Sequence, residues 1–248
     1  MKKIILKLLS IIVFFGCNNN LIVDKEKDKE YLMEIKRVVY YKGSPLTGKL
    51  VEYYHSDGEG RLPHEDGYSP QLFTKTNYVD GLEIGINEKF WENGQLKYRV
   101  NYIKKENKMT TDRTMVIKDG IEESYYKDGL LEYKGGWVNG SEDGIHEKYY
   151  KNSQLEFKGI WINKKKEGRH ERYHKNGQEE RISNYKNGKL IDSVQITYKE
   201  NGEKSLVQRY KNGKLHGRWE EYYDGVISTS EWIDGSMIMG SGKILRVK

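Results

Sequence analysis

The sequence has few of the residues and patterns that most globular domains use to build a core. It contains one cysteine and three prolines among 248 residues. A single cysteine excludes a framework of internal disulfides, so the fold must be stable without covalent cross-links. No stretch has the apolar spacing of an amphipathic helix. We therefore expect a fold that does not rely on helices packed around a core.

Sequence motifs that indicate catalysis are also missing. There is no G-x-S-x-G, no phosphate-binding loop and no kinase signature. His170 and His174 have H-x-x-x-H spacing, but on a predicted strand four residues span roughly 13 Å, too far to share a metal ion. The glutamates recur with the sequence repeat, whereas an active site needs one constellation. We expect no enzyme activity, no cofactor and no metal.

The charge balance argues against a nucleic-acid partner. Basic residues number 43 and acidic residues 37, and removal of an N-terminal signal with three lysines leaves 40 against 37. A nucleic-acid-binding surface needs a concentrated positive charge. The excess is slight, and export makes such a partner less suitable still.

Residues 1–16 have the pattern of a secretory signal peptide, with early lysines and an apolar run from Leu8 to Phe15. Gly16-Cys17 follows, and "VFFGC" resembles a lipobox, although Phe14 replaces the usual leucine. We expect Cys17 to be lipidated and to anchor the chain at the exported side of a cell-envelope membrane. The alternative is an incidental cysteine in an ordinary signal peptide. Residues 17–37 then form a charged tether or a disordered terminus.

Glycine and tyrosine are abundant, with 26 and 20 copies, and they follow a repeat across residues 38–248. Each unit has a glycine or serine, then five residues to an aromatic, then a turn. The turn positions Gly129, Ser153, Gly177, Gly202 and Gly225 lie 23 to 25 residues apart. The starting positions are Gly48, Gly85, Gly120, Gly144, Gly168, Ser193 and Gly217. Such a period is typical of a repeat architecture.

The turns predict β-hairpins. Tyr-Lys-Asn-Gly-Lys indicates a strand end, a two-residue type I′ turn and a new strand. The fold class is therefore all-β, an elongated single-layer antiparallel meander of about seven tandem hairpins. Two longer intervals predict insertions near 59–71 and 104–115, which are either functional loops or tolerated surface excursions.

Period-2 alternation assigns the side chains to two faces. A two-residue turn at Asn93-Gly94 would pair Trp91 with Leu96. The first face then carries an apolar stripe of Trp91, Leu96, Tyr98, Val100, Tyr102, Tyr126, Leu131, Tyr133, Gly135, Trp137, Tyr150, Leu155, Phe157, Gly159 and Trp161. The second face carries Phe90, Tyr125, Tyr149, Tyr173 and Tyr222 among glutamates, with Lys134 and Lys158 placed to pair with those glutamates across strands.

The repeat unit, seen best in "GIHEKYYKNSQLEFKGIWINKKKEG" and "NYKNGKLIDSVQITYKENG", resembles the bacterial MORN-repeat variant. It is similar to the YwqK-type proteins, which are described as antitoxins of toxin–antitoxin systems. The resemblance covers about residues 40–240. It implies a β-hairpin repeat and an antitoxin role. With an export signal, the toxin would be an envelope or secreted one.

We therefore expect a non-enzymatic binding module at the cell envelope that holds a protein, with a toxin as one candidate, on its aromatic stripe. The expected partner-binding residues are Trp91, Tyr98, Tyr126, Tyr133, Trp137, Tyr150, Phe157 and Trp161. The alternative is an envelope scaffold that contacts phospholipid or glycan, because aromatic rows stack on sugars and suit a membrane interface. A simpler interpretation is that these aromatics only hold the hairpins together.

Overall fold

The structure is a computed structural model, and it describes residues 21–25, 27–35, 38–53, 72–106 and 114–246. The expected signal peptide (1–16), Cys17 and the first insertion (59–71) lie outside the described residues. Within the described ranges, no helix is long and apolar enough to cross a bilayer.

The described residues form 23 strands and one short 3-10 turn at Lys29–Tyr31. The N-terminal strands are β1 (Ile22–Asp24), β2 (Leu32–Ile35), β3 (Val38–Tyr41), β4 (Ser44–Pro45), β5 (Gly48–Tyr53), β6 (Leu72–Val79), β7 (Leu82–Glu83) and β8 (Gly85–Phe90). The central strands are β9 (Leu96–Glu106), β10 (Thr114–Lys118), β11 (Gly120–Tyr125), β12 (Leu131–Val138), β13 (Ser141–Tyr149), β14 (Leu155–Ile162), β15 (Lys165–Tyr173) and β16 (Glu179–Lys186). The C-terminal strands are β17 (Lys189–Tyr198), β18 (Lys204–Lys211), β19 (Lys214–Leu215), β20 (Gly217–Tyr223), β21 (Val226–Ile233), β22 (Ser236–Met237) and β23 (Lys243–Arg246).

Most of these strands belong to one large, open, mostly antiparallel sheet. From β11 to β18 each strand pairs antiparallel with the strand that follows it in sequence. Each of them packs mainly against its two sheet neighbours. The expected all-β hairpin meander is confirmed. A smaller sheet of β2, β3 and β4 lies beside it in the N-terminal segment.

At one end of the strands, tight two-residue turns with positive φ at both positions connect neighbouring strands. Asn187 and Gly188 have φ of 52° and 82°, and Asn212 and Gly213 have 49° and 77°. This is the type I′ geometry, and it suits Asn-Gly because asparagine tolerates the left-handed region and glycine adopts it freely. The type I′ prediction is confirmed for these Lys-Asn-Gly turns.

At the other end of the strands the connecting turns are of a different type, and the type I′ prediction is wrong there. At Asn93-Gly94 only Gly94 has positive φ (81°), and its N–H donates to the Trp91 carbonyl at 2.8 Å. The Asn93 side chain accepts the Gln95 N–H at 3.2 Å. This is a three-residue loop that ends in a left-handed residue. Four other side chains likewise accept the backbone N–H of the residue two positions later in the chain. These are Asp128, Asn152, Asn176 and Asn201.

The longer loop shifts the pairing, because Leu96 pairs with Phe90 rather than with Trp91. The register shifts next to this pair, and equivalent shifts occur at Tyr125 and Tyr149. Leu131 and Leu155 therefore pair with second-face tyrosines. The prediction that these leucines continue the aromatic stripe is wrong, because a β-bulge interrupts the period-2 alternation.

Within the segment expected as a tether, residues 17–37, the described residues 21–25 and 27–35 include two strands. β1 pairs in parallel with β5, and β2 pairs with β3. Val23 is fully buried in a cluster with Leu46, Leu50 and Tyr78. The described charged residues of this segment lie on a solvated surface. The apolar residues between them cover the last strands of the sheet, as a terminal capping repeat does in a repeat protein.

Of the second expected insertion, residues 104–115, the structure describes 104–106 and 114–115. β9 continues to Glu106 and pairs with β10 from Thr114 onward. The described residues of this interval therefore lengthen β9 and begin β10.

Candidate functional site

We call the side of the sheet that carries Tyr98, Tyr133, Trp137, Phe157 and Trp161 the aromatic face; these are five of the eight expected binding residues. The cross-strand partners on this face run Tyr98, Ser124, Tyr133, Lys148 and Phe157. Trp137 and Trp161 extend the pattern along β12 and β14. The structure therefore brings these five residues to one side of one continuous sheet, whereas Trp91, Tyr126 and Tyr150 each follow the last residue of a strand.

A row of buried small residues and histidines crosses the middle of this face. Gly135 pairs with His146, His146 with Gly159, and His170 with Ser183. A Cβ at Gly135 would overlap the His146 ring, and one at Gly159 would overlap the His170 ring. The glycines leave space for the imidazoles, which are 3% and 4% exposed.

The histidines join the aromatic rings into a continuous stack. The Trp161 ring lies 4.7 Å from both the His146 and the His170 centroids. Phe157 meets Trp161 at 5.6 Å, and Tyr185 meets His170 at 4.8 Å. Because edge and tilted ring contacts of this kind are favourable, the face is held rigid by its own side chains.

Several of the polar atoms of the predicted binding residues are already used inside the molecule. The Tyr126 hydroxyl donates to the Tyr149 carbonyl at 2.6 Å, and the Tyr150 hydroxyl donates to the Tyr173 carbonyl at 2.8 Å. Trp91 Nε1 donates to the Tyr125 carbonyl at 3.0 Å. These bonds link each hairpin to the next one, so the aromatics have a structural role as well.

Tyr98 and Tyr133 donate to buried groups of the central row. The Tyr98 hydroxyl donates to Glu122, which also binds Lys118. The Tyr133 hydroxyl and His146 Nδ1 are 2.7 Å apart. Burial raises the pKa of Tyr133 to about 12, so its hydroxyl keeps the proton that it donates.

Burial also lowers the pKa of both histidines, since the charged imidazolium is poorly solvated there. Nε2–H of His146 donates to the Gly136 carbonyl and that of His170 to the Ile160 carbonyl, both at 2.9 Å. Among the described residues, His170 Nδ1 and Trp137 Nε1 are buried with no hydrogen-bond partner.

Sequence reasoning missed the charged residues that the bulges bring onto the aromatic face. Lys97 Nζ lies 4.1 Å from the Trp91 ring centroid. Glu132 accepts from the Ser124 hydroxyl at 3.2 Å, and Glu156 pairs with Lys148 at 2.9 Å. The asparagine or aspartate three residues before each of these strands was the available signal, since it indicates the three-residue loop.

The opposite side, which we call the charged face, carries a ladder of alternating charge. Cross-strand partners run Glu88, Arg99, Glu123, Lys134, Glu147, Lys158 and Glu171. The predicted pairs are confirmed, because Lys134 lies 3.4 Å from Glu123 and Lys158 lies 2.9 Å from Glu147. The pKa of Glu147 is held below its usual range chiefly by the hydrogen bond from Lys158.

The strongly exposed apolar side chains of the central strands do not include any of the eight predicted residues. They include Ile121, Val138, Ile145 and Ile162, which alternation places with the glutamates and lysines on the charged face. The aromatic face is thus half-buried and ordered, whereas the charged face presents separate aliphatic side chains.

A cavity of about 560 Å³ opens where β9 and β11 meet. Its lining includes Trp91, Lys97, Tyr98, Tyr102 and Glu132. Within the described ranges, no group of three or more His, Cys, Asp or Glu could hold a metal ion. His170 lies in the ring stack, while His174 packs against Tyr198 at 5.6 Å.

No protein-family model matches this chain, and a search of curated proteins gives no significant match.

Proposed function

We propose that this chain is a non-enzymatic repeat module that binds a protein partner across its aromatic face. The observation that supports the proposal is the stack of half-buried rings from Tyr133 to Tyr185, held on one side of an open sheet. Ordered aromatic side chains lose little conformational entropy on binding, and such residues dominate interface energetics.

The charged residues on this face add specificity to the proposal. Glu132 and Glu156 lie beside the rings, while Lys97 and Lys148 provide positive charge next to them. Alternating charges around aromatic anchors favour a partner of complementary pattern. The MORN-like resemblance makes a toxic protein the first partner to test, and lipidated Cys17 would hold the complex at the cell envelope.

The test is co-purification of the tagged full-length chain from detergent-solubilised membranes, followed by mass spectrometry. The chain offers a matched pair of variants. Glu156 and Glu147 are 18% and 22% exposed, each lies 2.9 Å from a lysine, and they lie on opposite faces. We expect Glu156→Lys to lose the partner and Glu147→Lys to retain it.

Three results would contradict parts of this proposal. Recovery of the chain with bound lipid or glycan and no protein would favour the scaffold alternative. Equal retention by both glutamate variants would remove the aromatic face as the binding surface. A chain that binds a protein but stays out of the membrane fraction, with Cys17→Ala unchanged, would overturn the envelope location alone.

A further inference from the structure

The two ends of the large sheet are closed in different ways. At the N-terminal end, β1 adds to β5, and Val23 is fully buried there. The Asp24 N–H donates to the Asp28 carboxylate at 3.0 Å, and the Asp28 N–H donates to the Asp24 carbonyl at 2.9 Å. Backbone groups at this edge are therefore bound within the segment itself, which protects it from pairing with another strand.

At the C-terminal end, β23 is an edge strand without such protection. Within the described part of the chain it pairs only with β21. All four of its side chains are exposed, with Ile244 at 75% and Leu245 at 43%. Met239, just before the strand, is 91% exposed. Unpaired backbone groups and apolar side chains make such an edge a template for an added strand.

The charged side chains of β23 determine which kind of strand can pair with its free edge. The strand reads Lys-Ile-Leu-Arg, and neither Lys243 nor Arg246 forms an ion pair with any residue that the structure describes. If two copies of β23 paired antiparallel about their centre, Lys243 would face Arg246 of the partner copy. Like charges directly opposite are destabilising, so a second copy is a poor occupant.

The chain shows the apolar part of a fitting occupant at its other end, where two aliphatic residues lie opposite a lysine and a leucine. β1 is Ile-Val-Asp, and it lies against Lys49-Leu50-Val51 of β5. β23 has the same order of a lysine followed by two aliphatic residues. We propose that β23 is a docking edge for an extended segment of another protein, with two apolar residues flanked by carboxylates. This edge is separate from the aromatic face, so the inference goes beyond the function proposed above.

The test uses the full chain and a fluorescein-labelled short peptide with two central valines flanked by glutamates, followed by fluorescence anisotropy. Two companion peptides separate the contributions. One replaces the glutamates with lysines, and the other carries N-methylated valine amides that cannot form a ladder. We expect both companions to bind about tenfold more weakly or worse.

Charge reversal provides the specific readout. The double variant Lys243→Glu/Arg246→Glu should prefer the lysine peptide to the glutamate peptide. Lys211→Glu/Lys214→Glu, which reverses two exposed lysines of β18 and β19, changes the net charge equally and should leave the preference as it is. Circular dichroism and thermal melting check that both variants are folded.

The proposal would be overturned by any of four results. These are no binding of the glutamate peptide, binding that survives N-methylation, equal effects of the two double variants, and a concentration-dependent dimer abolished by Leu245→Pro. Each result leaves the aromatic-face proposal intact, because that one is tested by Glu156→Lys.

Discussion

Two neighbouring repeat junctions are built alike, and the first has a tyrosine beside its histidine where the second has a phenylalanine. In the first, the Tyr133 hydroxyl donates to His146 Nδ1, and His146 Nε2–H donates to the main-chain carbonyl of Gly136 on the neighbouring strand. In the second, Phe157 takes the tyrosine's place beside His170, and the Nε2 bond is unchanged at 2.9 Å. His170 Nδ1 is therefore left without a partner.

This comparison shows that the hydroxyl is not what positions the histidine. The Tyr133–His146 and Phe157–His170 ring centroids are both 5.9 Å apart, whether or not Nδ1 is bonded. The common features are the glycine beneath each ring and the Nε2 bond. We infer that backbone space and one main-chain bond set the geometry, while the tyrosine adjusts stability.

The largest effect is expected from filling the space beneath the second histidine. In Gly159→Ala the new Cβ would overlap His170 and approach Phe157 Cζ to 2.8 Å. Overpacking of this kind costs about 3 kcal/mol. Urea unfolding should show this loss, and Gly135→Ala should behave alike at the first junction.

Gly242→Ala is the control for these alanine variants, since its Cβ would meet nothing closer than 3.9 Å and its φ is not in the left-handed region. If Gly159→Ala and Gly242→Ala had the same stability, the idea that glycine sets the geometry of both junctions would be wrong.

A lower pH should weaken both junctions together. The folded pKa of each histidine lies below 6.5, so the unfolded chain binds protons first as the pH falls. Stability is then complete above about pH 6.5 and is lost below it, by up to about 1.4 kcal/mol per pH unit and histidine until the folded pKa is reached. Glu122 and Glu142 oppose the shift at His146, whereas Lys166 adds to it at His170.

Thermal melts between pH 8 and pH 5 would measure this loss, and His170→Gln and His146→Gln should each flatten the curve. Carboxylates such as Glu147 titrate at lower pH and contribute separately. A melting temperature that is constant across this range in the wild-type chain would contradict the assignment of neutral, buried imidazoles.

Much of this architecture was predictable from the sequence, because the spacing of turns and aromatics repeats. Alternation from Tyr133 to Trp137 was correct, and so were the Lys134 and Lys158 pairs. Alternation failed at Leu131 and Leu155, where a bulge is encoded by a left-handed residue after Asn or Asp. The cap at Val23 was missed because its few apolar residues lie within a charged segment.

The histidines were not predicted as part of the site, because the spacing of His170 and His174 raised only the question of a metal and His146 belongs to no motif. Their role depends on glycines that lie 11 residues earlier in the sequence. Gly135 pairs with His146 across the strands, and Gly159 lies against the His170 ring at a register shift. Such a pairing is visible only once the register is known. A glycine in the middle of a strand is the signal to look for, since it marks a close approach.

The smallest effects are expected from exchanging the hydroxyl between the two junctions. Tyr133→Phe leaves the buried His146 Nδ1 unpaired and should cost about 1 to 2 kcal/mol. Phe157→Tyr offers a donor to His170 Nδ1 and should add about 1 kcal/mol. The free energy of unfolding of the double variant Tyr133→Phe/Phe157→Tyr, measured with urea, should therefore lie close to that of the wild type. Loss of stability in Phe157→Tyr as large as in Tyr133→Phe would mean that the second junction has no room for the hydroxyl, and that the two junctions differ in shape as well as in hydrogen bonding.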